Sequence, residues 1–388
     1  MPSPRLSLCT YTYNDAEFVH DLLAQVPSWQ VQPDEIVVVD DGSKTPFAPL
    51  APLPILRVVR LDPNQGITRA KGTGLSAARG EVILSMDCDT RIAPDWLTVN
   101  LPNLDRPGVA LVGGSLRHAS GADLVSRYLI AYGDNHNLHH VGEVEFIPGN
   151  AFLLRRSTWE EAGGFSEYAE TNCQDHYLSN LLRARGHTLY SDAAAQAWQL
   201  RRIGRSTLLR RVWKWCHNAV KGQMLGDDRC VPYLFEVAVK PMLERFGTSI
   251  ETGEPLFLYV DLLYMAHSVL DCLDFGVQQG LTTDAVRCGF LRLLSRLFDG
   301  YPRLWAVFRA DLAAAGSPVL MPATGDEDAW LDFFMFRDML RNSGLFDWLE
   351  REGVDQLRLE DRKGQYHFSS YAMQGATSGA VQGAKADA

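Results

Sequence analysis

The chain has 388 residues, 46% hydrophobic and 22% charged, with a formal net charge of -10. That length supports a sizeable core and two domains more readily than one, and the composition is ordinary for a soluble globular protein. The acidic balance excludes a general nucleic-acid binder, which needs a basic surface to neutralise phosphates.

The amino terminus, MPSPRLSLCTYTYND, has no basic segment leading into an apolar signal core. LSLCTYT is a β-branched and aromatic run that predicts a strand, followed by a helix from about Asp15 to Gln25 with Phe18, Val19, Leu22 and Leu23 on its apolar face. EIVVVD and ILRVVRL predict two more strands, a helix follows around Thr68 to Ala78, and EVILSMD reads as a buried strand. Val109 to Val112 predicts a short strand, EVEFIPGNAFLLRR supplies one or two, and a helix is expected from Gln174 to about Arg185. This alternation predicts an α/β fold, a mostly parallel sheet flanked by helices. Beyond about Gly226 helical periodicity dominates, as in DAVRCGFLRLLSRLF, so the expected division is 1–225, a helical region over 226–373, and a disordered tail over 374–388. The most apolar stretch, LFLYVDLLYMAHSVLDCLDFGV, carries Asp261, Asp271 and Asp274 and reads as a buried or amphipathic helix, not a membrane span. Seven cysteines, odd in number and without Cys-x-x-Cys spacing, are expected as reduced thiols of a cytoplasmic protein.

Chemistry concentrates at strand ends. Asp87 and Asp89 bracket Cys88 where EVILSM ends, and side chains at the carboxyl end of a strand in an open α/β sheet project into the ligand crevice. Hard divalent cations, Mn2+ or Mg2+, suit such carboxylates when substrate phosphates and waters complete the shell. Asp40 and Asp41 end EIVVVD in the same way, although Asp-Asp-Gly-Ser is also an ordinary strand-to-turn junction. Tyr11, Thr12 and Tyr13 close the first strand beside them and are candidates for contacts to a base and a diphosphate. Arg69 and Lys71 are either phosphate contacts or ordinary surface cations. Gly72 to Ala77 reads Gly-x-Gly-x-x-Ala, a variant of the dinucleotide fingerprint, but about ten residues separate it from the preceding strand where that motif needs a tight turn. These glycines are instead expected to let a helix pack closely on the sheet or approach a bound substrate.

LSLCTYTYN, EIVVVDDGS, NQGITRAKGTGLSAARGEVILSMDCDT, PGNAFLLRRSTWEEAGGF and CQDHYLSNLLRARGH, in that order, resemble the successive motifs of family 2 glycosyltransferases with the GT-A fold. The resemblance covers roughly residues 4–220. It implies a donor that is a nucleoside-diphosphate sugar, with Asp41 accepting the ring N–H of uracil or guanine, Asp89 coordinating the metal, and Asp87 holding the ribose or assisting the metal. It further implies Asp175 as catalytic base, in the first turn of a helix where the dipole favours an ionised carboxylate. Direct displacement by an acceptor hydroxyl, with inversion, is the implied reaction; the acceptor class (glycan, lipid-linked or protein) is open.

Three departures qualify this. Similar enzymes show Glu-Asp where this chain has Gln174-Asp175. Trp198 and Gln199 stand where a histidine ligand often precedes the basic segment, which leaves the metal held largely through substrate. The Gln-x-x-Arg-Trp motif of processive synthases is incomplete at Gln199-Leu200-Arg201-Arg202-Ile203, which favours transfer of one sugar. The region from Ala193 to Gly226 has no acidic residue but carries Arg201, Arg202, Arg205, Arg210, Arg211, Lys214 and Lys221 interleaved with Leu208, Leu209, Val212, Trp213 and Trp215. It reads as a solvated helix face, a cover over the donor diphosphate, or a peripheral membrane contact through 201–221. His136, His139 and His140 read as an acceptor-side loop before a metal site. A sugar-nucleotide nucleotidyltransferase would show a Gly-rich amino-terminal loop with a basic residue, and an inactive GT-A scaffold would lack carboxylates.

Overall fold

The β-branched runs that alternate with amphipathic segments form a sheet with helices on both faces. The computed structural model describes residues 5–119, 123–132, 136–168, 173–225, 230–242, 245 and 254–363; the expected tail over 374–388 lies outside them. Two compact units emerge, residues 1–122 with 126–202, and residues 123–125 with 203–388.

The first unit runs β1 (Leu6–Thr12), α1 (Ala16–Gln25), β2 (Glu35–Asp41), β3 (Leu56–Leu61), α2 (Ile67–Ala77), β4 (Val82–Met86), β5 (Thr90–Ile92), α3 (Trp96–Leu104) and β6 (Val109–His118). After α4 (Leu124–Tyr132) it continues with β7 (Val141–Val144), β8 (Ala151–Arg155), α5 (Arg156–Ala162), α6 (Gln174–Ala184) and β9 (Thr188–Gln199). The sheet order is β3-β2-β1-β4-β8-β6-β9-β5, with β7 on β9. Parallel pairing joins β3, β2, β1 and β4, and again β6 and β9. Strand β8 runs antiparallel between β4 and β6, and β5 and β7 run antiparallel to β9. The α/β class is as the alternation predicts, but the sheet is mixed and not mostly parallel, because four of its strand pairs are parallel and four, all involving β8, β5 or β7, are antiparallel.

Period-two alternation divides the core between the two faces of the sheet. Ile36 and Val38 pack with Leu8, Leu22, Leu84 and Trp96 on one face. Val37 and Val39 pack with Cys9, Ala70, Leu75 and Ile83 on the other. Gly74 lets α2 lie close to this second face, since a Cβ there would stand 3.3 Å from Val39. Gly42 has φ +75° at the turn after β2, and a Cβ there would meet the Asn64 backbone nitrogen at 2.6 Å. That close approach docks the 64–66 segment against the end of β2.

The second unit is helical among its described residues. Helix α7 (Arg205–Met224) belongs to it, whereas the fading of strand signals alone predicts a division after residue 225. The reason is local pairing. Arg205 Nε donates to Asp311 at 2.7 Å, Lys221 pairs with Asp271 at 2.6 Å, and Arg210 donates to the Ala314 carbonyl at 2.8 Å. Much of the expected basic face is thus partnered inside its own unit. The helix Pro255–Gln278 is long and apolar enough to cross a membrane by length and composition, yet 89% of its most apolar window is buried. None of the six cysteines with described side chains forms a disulfide.

Candidate functional site

The ends of β2 and β4 bring four acidic side chains to one edge of the sheet, beside the end of β1, but their surroundings differ. Asp40 is buried and spent on its own turn: Oδ1 accepts the Ser43 N–H at 2.9 Å, and Oδ2 accepts the Phe47 N–H at 2.9 Å and Arg60 at 2.6 Å. Burial pushes its carboxyl up, but these hydrogen bonds and the Arg60 charge outweigh it and hold the pKa below the ordinary value. Asp41 holds the 64–66 segment, its Oδ1 accepting the Gln65 N–H at 2.8 Å and its Oδ2 the Gly66 N–H at 2.9 Å and Asn64 Nδ2 at 2.8 Å. Here burial prevails and raises the pKa, against the two backbone hydrogen bonds.

Asp87 faces different partners. Its Oδ1 accepts the Tyr11 hydroxyl at 2.9 Å and pairs with Lys71 Nζ at 2.9 Å. The Lys71 side chain is 2% exposed and lies over the Tyr11 and Phe152 rings. Burial pushes the Asp87 carboxyl up, Lys71 opposes this, and the neighbouring Asp89 adds to it. Tyr11 is raised well above the ordinary range by burial first and by Asp87 second. Its hydroxyl therefore stays a donor at neutral pH. Thr12 is buried with its Oγ1 lacking a hydrogen-bond partner, while Tyr13 is 47% exposed. Arg69 is exposed on α2, two residues before the buried Lys71 and on a different side of the same helix.

Asp89 is buried too, and its Oδ2 accepts Arg201 Nε at 2.6 Å. The same guanidinium donates to Asp15 Oδ2 at 2.7 Å and lies over the Phe18 ring at 4.6 Å. Burial lowers the Arg201 pKa, but Asp89 and Asp15 outweigh that and raise it. Backbone pairing fixes this end of β9 next to the carboxylates, since the Leu200 N–H donates to the Asp89 carbonyl at 2.7 Å and Thr90 pairs with Gln199.

Asp175 lies in the first turn of α6, as the sequence predicts, and its Oδ2 accepts the Gly149 N–H at 3.0 Å. The carbonyl of that same Gly149 accepts Lys71 Nζ at 2.7 Å. One residue, through its N–H and its carbonyl, therefore links Asp175 to the Lys71–Asp87–Tyr11 group across residues far apart in sequence. A Cβ at 149 would stand 3.0 Å from Lys71 Nζ and 3.3 Å from Asp175 Oδ2, so a side chain there would press on both groups. The next residue carries the chain to β4, where the Asn150 carbonyl accepts the Asp87 N–H at 2.9 Å. Beside Asp175, His176 stacks on Phe146 at 3.9 Å, and His136 packs edge-on against Phe146 at 5.7 Å. His140 Nε2 is hydrogen-bonded to the Glu143 carbonyl.

Sequence reading singled out Lys71 without placing it in the buried centre and counted Arg201 only as one of a basic run. Asp15, Gly149 and Asn150 were not singled out. A usable signal existed for Gly149 in the Pro-Gly-Asn run before β8, but nothing in the sequence pairs Arg201 with Asp89.

The donor set suits a hard divalent cation in part. Oδ2 of Asp87 and Oδ1 of Asp89 have no hydrogen-bond partner among the described residues. Two carboxylate oxygens fit an ion that keeps waters and draws its remaining ligands from substrate phosphate. Among the described residues no group of three or more His, Cys, Asp or Glu forms a fuller protein cage.

Residues 7–164 match the family model described as Glycosyl transferase family 2. The chain is 33% identical over 134 residues to the succinoglycan biosynthesis protein ExoO of Rhizobium meliloti, covering 31% of this chain and 38% of that protein. It is 30% identical over 120 residues to polypeptide N-acetylgalactosaminyltransferase 12 of Mus musculus, covering 28% of this chain and 20% of that one. The chain thus spans less than half the length of these two relatives. A longer match, 23% identical over 305 residues, joins it to the glucosyl-dolichyl phosphate glucuronosyltransferase of Haloferax volcanii, covering 71% of this chain and 95% of that protein. Among solved structures, the mannosyltransferase PcManGT from Pyrobaculum calidifontis in complex with GDP-Man and Mn2+ aligns with a TM-score of 0.42 and 19% identity, over 81% of this chain and 86% of that one.

Proposed function

We propose that this chain, whose residues 7–164 are a glycosyl transferase family 2 domain, moves one sugar from a nucleoside-diphosphate sugar to a hydroxyl acceptor in glycan or glycoconjugate synthesis. The observation that carries this reading is Gly149, whose N–H and carbonyl join Asp175 to the Lys71–Asp87 pair. A hydroxyl acceptor needs a carboxylate base, and a diphosphate leaving group needs cations, within one small space.

In this reading Asp175 takes the proton of the acceptor hydroxyl as its oxygen attacks the anomeric carbon. The bond from that carbon to the diphosphate oxygen breaks on the opposite face, which inverts the configuration. Gly149 N–H aims the Asp175 carboxylate from the first turn of α6. Lys71 keeps Asp87 oriented, and Tyr11 adds a hydroxyl to the same oxygen. Asp41 Oδ1, with a single donor from the protein, retains a lone pair for the ring N–H of uracil or guanine. Thr12, with its unpartnered hydroxyl, and Tyr13 and Arg69, both exposed, flank the donor path. A divalent cation, Mn2+ or Mg2+, held by Asp87 and Asp89, would neutralise charge on the departing diphosphate. His176 stacked on Phe146 next to the base offers a flat apolar face for an acceptor sugar ring.

The test is calorimetric binding of UDP and GDP with and without Mn2+, followed by hydrolysis assays of UDP- and GDP-sugars on the base that binds. Saturable binding of one of them, tightened by Mn2+, is expected. Binding of neither would sink the reading.

A further inference from the structure

Arg201 is more constrained than a member of a solvated basic face. Its Nε is on Asp89 and a second nitrogen is on Asp15, the guanidinium plane covers Phe18, and the side chain is 27% exposed. The fork therefore bridges two carboxylates that stand 74 positions apart, at the exit of β4 and at the start of α1. A guanidinium and a divalent ion seek the same carboxylate oxygens, and two cations crowded on one carboxylate repel each other. Arginine also matches the oxygens of a diphosphate bidentately. Its remaining terminal nitrogen has no hydrogen-bond partner among the described residues.

We propose that Arg201 is the resident counter-cation of Asp89, which holds that carboxylate away from metal in the nucleotide-free chain and passes to the donor diphosphate when it binds. Metal binding then follows nucleotide binding. The inference rests on the transferase reading for its ligand, but its metal arm can be measured without any nucleotide. It predicts opposite signs for two affinities. Removing Arg201 strengthens Mn2+ binding to the free chain and weakens diphosphate binding in the absence of metal. A salt bridge that merely holds structure predicts the reverse for metal, because Asp89 would lose its fixed position.

The experiment uses the full chain and follows free Mn2+ by electron paramagnetic resonance, with and without UDP or GDP. Diphosphate binding is measured in parallel by calorimetry in chelator. Wild-type protein is expected to bind Mn2+ about tenfold more tightly with nucleotide present, the scale of one charge-assisted hydrogen bond. Arg201→Gln is expected to tighten nucleotide-free Mn2+ about tenfold and to loosen metal-free diphosphate by a similar factor. Arg201→Lys, which keeps the charge and loses the fork, is expected to fall between the two and serves if the glutamine variant does not fold. Arg91→Gln removes one positive charge paired with Asp21 nearby without touching Asp89, and its Mn2+ affinity is expected to stay at the wild-type level. Unchanged or weakened Mn2+ binding in Arg201→Gln, unchanged metal-free diphosphate binding in that variant, or an equal gain in Arg91→Gln, while the wild-type chain binds UDP or GDP, overturns the role of Arg201 alone. Failure of the wild-type chain to bind either diphosphate overturns the transferase reading and the handover with it.

Discussion

The ends of β2 and β4 look alike in sequence and differ in what their carboxylates have left to give. At β2, all four oxygens of Asp40 and Asp41 accept hydrogen bonds from their own turn, from Arg60, or from the 64–66 segment. At β4, one oxygen of Asp87 and one of Asp89 are engaged, both with cationic side chains, and the other two have no partner among the described residues. Backbone donors fix a carboxylate permanently as scaffold. Side-chain cations hold one that can be exchanged for another cation. Two acidic pairs with one motif-level description therefore divide by saturation: every carboxylate oxygen at β2 has a protein donor, and two at β4 have none among the described residues.

Several substitutions would break or sharpen that division. Asp175→Asn stands outside both pairs but depends on the β4 group through Gly149; transfer is expected to fall by about 10²–10⁴-fold, the usual contribution of a general base, while donor binding persists. Normal turnover in that variant would remove Asp175 as base. Asp89→Asn is expected to lower transfer by about 10²–10³-fold with a small change in melting temperature, since Arg201 keeps Asp15 as a partner. Asp41→Asn should act in both currencies: it faces an amide NH2 toward the Gln65 or Gly66 N–H, costs about 1–3 kcal/mol, and weakens uracil or guanine nucleotides in a binding assay. Asp40→Asn is expected to cost a similar ~1–3 kcal/mol and to leave nucleotide affinity unchanged. A loss of nucleotide affinity there would erase the distinction between scaffold and site.

The pH dependence of the Asp40 effect has a definite sign. Its folded pKa is lower than its unfolded one, so its stabilisation is present above the unfolded value, ~3.9, and is lost as pH falls through the folded pKa. The difference in Tm between wild type and Asp40→Asn should therefore be widest near neutrality and close in acid. A gap that does not vary with pH would mean the Asp40 hydrogen bonds act independently of its charge.

Much of the first unit could be read directly. EIVVVD and EVILSM became β2 and β4 because their β-branched and apolar runs have only a two-sided buried strand to satisfy them. The helix expected at Gln174 starts there, with Asp175 in its first turn. The strand Thr188–Gln199, by contrast, is written TLYSDAAAQAWQ and carries three consecutive alanines, which have weak strand propensity. It exists because β6, β7 and β5 all pair with it. The position of Arg201 follows from that strand and was invisible for the same reason.

By itself the sequence determined which residues could carry chemistry, because strand periodicity and strand-end carboxylates are local properties of the chain. It also determined the order of motifs that resembles family 2 glycosyltransferases and matches their model over residues 7–164. Tertiary structure alone decided which carboxylates are satisfied and which remain available. That depends on donors brought in from elsewhere: Gln65 and Gly66 on Asp41, Lys71 on Asp87, and Arg201 on Asp89. Hydrogen-bond saturation is a property of the assembled neighbourhood, so two Asp pairs that read alike in sequence ended with different work to do.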